Sequence, residues 1–272
     1  MADSRNLTVA IGGFGTIGKT LASALDKGIA GLALVAVSAH DKERARQGVS
    51  GFSAPVRVVD LAELADLADI VVECCPAAHF ADVAGPAIER GRIFVPSSVG
   101  ALLDHMHLID RARQTGARIV APTGALLGLD AVRAAAEGHI REIRSVTTKP
   151  PGGLAGAPYI VANQIDLAAI TEPTLIFSGS AREAIKGFPA NVNVAVALSL
   201  AGIGPDKTRI EIWADPTVTR NVHRIVCEAD SARFEMKIEN IPSPDNPRTG
   251  LITGLSVIAC LRGMVSPLRV GT

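Results

Sequence analysis

Through the first half of the chain, short apolar runs alternate with stretches whose apolar residues recur at helical spacing. Leu7-Thr8-Val9-Ala10-Ile11 reads as a strand, and Ile17 to Leu25 follows it with an Ala-rich helical pattern. Residues 32–37, 56–59, 69–74, 92–96 and 117–121 repeat the strand signal. Helical stretches lie between them at 60–67, 76–90 and 102–115. Pro76 suits a first helical turn, and Gly116 suits a helix stop. Strands separated by helices imply right-handed crossovers and a doubly wound, Rossmann-type sheet.

After about residue 130 the pattern changes. Longer strand signals at 139–148, 174–177, 208–213, 223–229 and 233–239 follow one another with two helical interruptions, at 181–186 and 192–201. This predicts a smaller α+β lobe with a mostly antiparallel or mixed sheet. The expected division is 1–125 for a dinucleotide-binding domain and 126–246 for a catalytic and dimerisation domain. A final helix at 247–264 is expected to pack back on the first domain.

Composition narrows the class. Of 272 residues, 48% are apolar but only 3% aromatic, so the core is built from Ala, Val, Ile and Leu, the usual material of covered parallel sheets. That length favours two lobes. The 27 basic and 27 acidic residues cancel without a basic face, which argues against nucleic acid as a partner. No apolar run approaches a bilayer-spanning length, and the polar start lacks the shape of a signal peptide. Cys74, Cys75, Cys227 and Cys260 show no metal-ligand spacing. The expectation is a cytoplasmic, reduced, metal-free protein.

Candidate chemistry begins at Gly13-Phe14-Gly15-Thr16-Ile17-Gly18, between the first strand and the first helix. Three glycines in this order serve a tight turn, a close approach to pyrophosphate, and helix–strand packing. The helix start would aim free N–H groups at the phosphates of NAD or NADP. The acid that usually meets the ribose is missing. Ser38-Ala39-His40 stands there and Asp41 comes late, so the choice of cofactor stays open with a lean towards tolerance of NADP. His40, Lys42 and Arg44 can face a 2′-phosphate, or with Asp41 and Glu43 can simply open a solvated helix.

In the second lobe, Asn191 and Asn193 stand two apart where a helix begins. One can cap it, and the other can meet a nicotinamide carboxamide or a carboxylate. Asn221-Val222-His223 opens a strand, placing Asn221 and His223 on one face. Imidazole titrates near neutrality, so His223 is the candidate proton carrier. Lys149, ending a strand, can hold a carboxylate or be an ordinary surface lysine. Arg248, in the Pro-rich loop before the last helix, can bind an anion.

The chain resembles the L-aspartate dehydrogenase family along nearly its whole length. The resemblance is carried by the glycine segment, Thr123-Gly124-Ala125-Leu126-Leu127-Gly128-Leu129-Asp130, Phe188-Pro189-Ala190-Asn191-Val192-Asn193-Val194-Ala195, Ala214-Asp215-Pro216 with Asn221-Val222-His223, and 239–249. It implies NAD(P)-dependent oxidation of L-aspartate to iminoaspartate, feeding oxaloacetate plus ammonia or NAD biosynthesis, by a homodimer. It implies His223 as the catalytic group and the glycine loop, Ala125, Asn191 and Asn193 as cofactor contacts. The alternatives are another two-lobed reductase, of dihydrodipicolinate reductase or homoserine dehydrogenase type, or a non-catalytic NAD(P)-binding regulator.

Overall fold

A computed structural model describes residues 6–189, 193–243 and 250–271. The chain divides into two compact units. One comprises Met1–Pro122 with Thr253–Arg269, the other Thr123–Ile252 with Val270–Thr272.

The first unit contains β1 (Leu7–Gly12), β2 (Leu32–Ser38), β3 (Arg57–Val58), β4 (Ile70–Glu73), β5 (Ile93–Pro96) and β6 (Arg118–Ile119). They form one parallel sheet in the order β3-β2-β1-β4-β5-β6. All four residues of β4 are buried, as expected for a strand covered on both faces. Strand order reverses between β1 and β4, which puts the topological switch point directly beyond the glycine segment. The final helix, Leu251–Val265, contributes Val257 and Leu261 to the cluster that holds Val9, Ile11 and Leu21. Those two residues are one helical turn apart, so one face makes the contact.

Two helices expected to be continuous are broken. Residues 60–67 split into a 3₁₀ turn, Leu61–Glu63, and a short helix, Leu64–Leu67, with Asp60 and Glu63 forming a reciprocal cap. The stretch expected at 102–115 begins earlier, as the 3₁₀ segment Val99–His105, then becomes the α-helix His107–Thr115. Stacking of His105 on Phe80 accompanies the tighter winding. Gly116 ends the helix at φ 76°, a left-handed position where glycine meets no steric penalty.

The second unit contains β7 (Ile140–Lys149), β8 (Thr174–Ser180), β9 (Arg209–Ala214), β10 (Asn221–Ala229) and β11 (Arg233–Asn240), in the order β11-β10-β7-β9-β8. All neighbours run antiparallel except β7 and β9, so the sheet is mixed. Its helix content exceeds what the apolar pattern indicates. Besides the helices Ala181–Gly187, Asn193–Ala201 and Leu129–Ala136, whose start the segment 126–130 marks, there is Pro158–Ala162. A helix of five residues is too short to display a period, and it is Pro158 at its first position that marks it.

Candidate active site

The glycine segment leads into the helix Thr16–Asp26, whose N-cap is Gly15 and which has neither a side-chain cap nor an acid in its first turn. Its first N–H groups are therefore presented to an anion rather than to the protein. A methyl at Gly15 would meet nothing within 4 Å, whereas one at Gly18 would collide with the carbonyl oxygen of Gly13. Gly13 has φ 105° and lies against the Cys74–Cys75 peptide. Open space at the middle glycine, with tight packing at its neighbours, fits a pyrophosphate. Phe14 and Ile17 pack on the core, and Phe14 lies against Gly48. Gly18→Ala is expected to cost about 1–3 kcal/mol of stability through overpacking and to weaken NAD(P)H binding. Thermal melts and fluorescence titration check this; wild-type behaviour in both would contradict the packing role.

The loops leaving the sheet at this end are tied together. Gly13 N–H donates to Ser38 O at 2.9 Å, and Cys74 N–H donates to Gly12 O at 2.7 Å. Glu73 is fully buried at the end of β4. It accepts from Cys75 N–H at 2.9 Å, Ser98 N–H at 2.8 Å and Ser98 Oγ at 3.1 Å. Burial pushes its pKa up, and the bonds from Ser98 and Cys75 pull it back. This carboxylate joins the loops after β4 and β5. After β2, Asp41 is occupied as a helix cap, accepting from Arg44 N–H at 2.9 Å, and Lys42 pairs with Asp60 at 2.7 Å. Arg46 pairs with Glu43 at 3.2 Å, so much of this segment's charge serves the helix start.

In the second unit, buried residues along β7 alternate as Ile143, Ser145, Thr147 and Lys149, so one sheet face grades from apolar to polar along the strand. Register sets His223 of β10 opposite Thr147, and Asn221 opposite Asn240 of β11. Thr147, Lys149, His223 and Asn240 are all at most 5% exposed. A polar cluster so deeply buried is costly to build, which marks it as a site. Thr147 Oγ1 lies 3.0 Å from His223 Nδ1. Burial, with the Lys149 charge adding to it, pushes the His223 imidazole down to about 4, so it is neutral at physiological pH. Burial lowers Lys149 from 10.5 to about 8. Lys149 is thus an interior residue and not the surface lysine its position at a strand end allows.

Ala125 belongs to a loop anchored in the same unit. Its carbonyl accepts from Asn240 Nδ2 at 3.0 Å, and Gly128, at φ 69°, starts the following helix against Met236. Asn193 is half-buried at the start of its helix. Asn191 and Arg248 lie outside the described residues. Among the described residues no group of three or more His, Cys, Asp or Glu could hold a metal ion, and no helix is long and apolar enough to cross a membrane.

Residues 13–122 match the NAD-binding domain of homoserine dehydrogenase, and residues 130–264 match the C-terminal domain of aspartate dehydrogenase. The L-aspartate dehydrogenase of Bradyrhizobium diazoefficiens is 56% identical over 99% of this chain and 95% of its own. The chain belongs to the L-aspartate dehydrogenase family. L-aspartate dehydrogenase 3 of Bordetella bronchiseptica is a further family member, 51% identical with both chains fully covered. The crystal structure of aspartate dehydrogenase from Thermotoga maritima shares the fold at a TM-score of 0.75 and 26% identity, covering 98% of this chain and all of that one.

Within this family assignment the second unit separates the chain from the homoserine dehydrogenase alternative, since that is where the aspartate dehydrogenase match falls. Three residues of the polar networks, Thr147, Asn240 and Glu73, were given no role by the sequence reading. Thr147 was visible only as one step in the alternation from Ile143 to Lys149. Glu73 was visible only as an acid closing the apolar run Ile70-Val71-Val72.

Proposed function

We propose that the protein catalyses NAD(P)-dependent oxidative deamination of L-aspartate to iminoaspartate, which water converts to oxaloacetate and ammonia. The observation that carries this is the buried Thr147, Lys149, His223 and Asn240 cluster, in a chain whose other unit holds an uncapped glycine cradle. NAD or NADP, when bound, supplies the nicotinamide ring that accepts hydride from the substrate α-carbon.

The chain's own residues then have separate tasks. N–H groups at Gly15 to Gly18 bind pyrophosphate. Ala125, Asn193 and Asn191 serve the nicotinamide end of the cofactor. Lys149 holds a substrate carboxylate through a charge-assisted hydrogen bond, with Asn221 and Arg248 as further carboxylate contacts. His223, neutral at rest, takes a proton from the water that adds to the imine carbon. It returns that proton to the departing amine. Approach of two carboxylates raises the pKa of both Lys149 and His223, which readies the imidazole for that proton. Ser38-Ala39-His40 stands where an acid would receive the ribose 2′-hydroxyl, and Asp41 is engaged as a helix cap, which supports use of either cofactor. The reading extends to a cytoplasmic homodimer whose product feeds NAD biosynthesis.

The test is NAD(P)H formation at alkaline pH with L-aspartate, beside L-glutamate, L-alanine and L-homoserine. Turnover confined to aspartate is the expected result. Cofactor binding without turnover on any of the four would overturn the proposal in favour of a regulator.

A further inference from the structure

We propose that Thr147 is the positioning residue that sets the tautomer of His223, accepting a hydrogen bond from Nδ1–H and leaving the lone pair of Nε2 to take the proton. The inference rests on the reading of His223 as proton carrier. It starts from geometry: the two residues face each other across the β7–β10 pair, buried, with Thr147 Oγ1 and Nδ1 at 3.0 Å.

A hydroxyl both donates and accepts, so two arrangements satisfy a neutral imidazole. If Thr147 donates to Nδ1, the ring proton sits on Nε2, and that nitrogen cannot act as a base. If Thr147 accepts, Nδ1 carries the proton and Nε2 is free. In the imidazolium formed after proton transfer both nitrogens are donors, so Thr147 can then only accept. The accepting arrangement alone serves before and after the transfer without the hydroxyl turning. Threonine suits the task because its β-branched side chain is restricted at χ1. Unlike a carboxylate orienter, its hydroxyl adds no negative charge. It holds the ring while raising its basicity far less than a carboxylate would, in keeping with an imidazole that burial keeps neutral.

The experiment uses the full-length protein labelled with ¹⁵N-histidine. Ring nitrogen shifts of His223, assigned by comparison with His223→Ala, report the tautomer directly. The wild type is expected to carry its proton on Nδ1. Thr147→Val, similar in shape but unable to accept, is expected to redistribute the tautomers. It should also lower kcat at least about 10-fold, part of the 10²–10⁴ that general acid–base catalysis contributes, with NAD(P)H affinity unchanged. Thr147→Ser is expected to restore both tautomer and kcat. A wild-type His223 protonated on Nε2, or a Thr147→Val protein with wild-type tautomer and kcat, overturns the proposal. If His223→Ala itself retains turnover, the reading of His223 fails instead, and the two failures are distinguishable.

Discussion

Replacing His223 with alanine lowers turnover by about 10²–10⁴ and leaves NAD(P)H affinity as it was. The magnitude follows from what the imidazole is placed to do. Water adds slowly to an imine unless a base removes its proton, and the departing amine must recover one. His223 is buried on the polar end of a sheet face, its Nδ1 hydrogen-bonded to Thr147 and its pKa held down to about 4. The pyrophosphate cradle is built on β1 and the helix Thr16–Asp26, and the imidazole is assigned no cofactor contact, so cofactor affinity is expected to survive its loss. Steady-state kinetics with a parallel fluorescence titration separate the two quantities. Near-normal turnover would remove His223 from the mechanism.

Lys149→Met moves stability and activity in opposite directions. A lysine depressed from 10.5 to about 8 binds fewer protons in the folded chain than in the unfolded one between those values. Stability therefore rises with pH across that window, and below pH 8 the fold bears the full cost of the buried charge, about 3 kcal/mol. Methionine keeps an unbranched chain without the charge, so the variant should resist denaturant better at pH 7, by up to that amount. Its KM for aspartate should rise about 10–100-fold, as expected when a charge-assisted hydrogen bond is lost. In the wild type the same ammonium is lost as pH climbs through 8, so KM for aspartate should rise there. Denaturant titrations and a KM–pH profile check both halves. Reduced stability with unchanged KM would make Lys149 a structural residue.

The glycine segment was legible because its demands are local and steric. A collision at Gly18 and a positive φ at Gly13 leave few other residues possible, and the constraint is written in consecutive positions. The parallel sheet was legible for a similar reason, since short apolar strands alternate with helical spacing. The polar cluster was less so. Thr147 and His223 are 76 positions apart, and only the pairing of β7 with β10 brings them together. Nothing local distinguishes Lys149 at a strand end from a lysine in water. What separates them is the burial of every second residue before it. Glu73 is similar: Cys75 is a local partner, but Ser98 comes from the loop after β5, which approaches only when β5 pairs with β4.

The return of the helix Leu251–Val265 to the first unit has a consequence for how the chain matures. Apart from Val270–Thr272, the mixed-sheet unit is continuous from Thr123 to Ile252, and all of that span is made before the part of the last helix, from Thr253 on, that belongs to the first unit. The nucleotide-binding unit begins first but finishes last, because Val257 and Leu261 fill its core from the far end of the chain. Until they arrive, the cluster that holds Val9, Ile11 and Leu21 is incomplete and leaves apolar surface for a chaperone to recognise. A chain ending at residue 252 would hold the continuous part of the second unit but leave the first unfinished, and a protease would cut the earlier-made part more readily than the later.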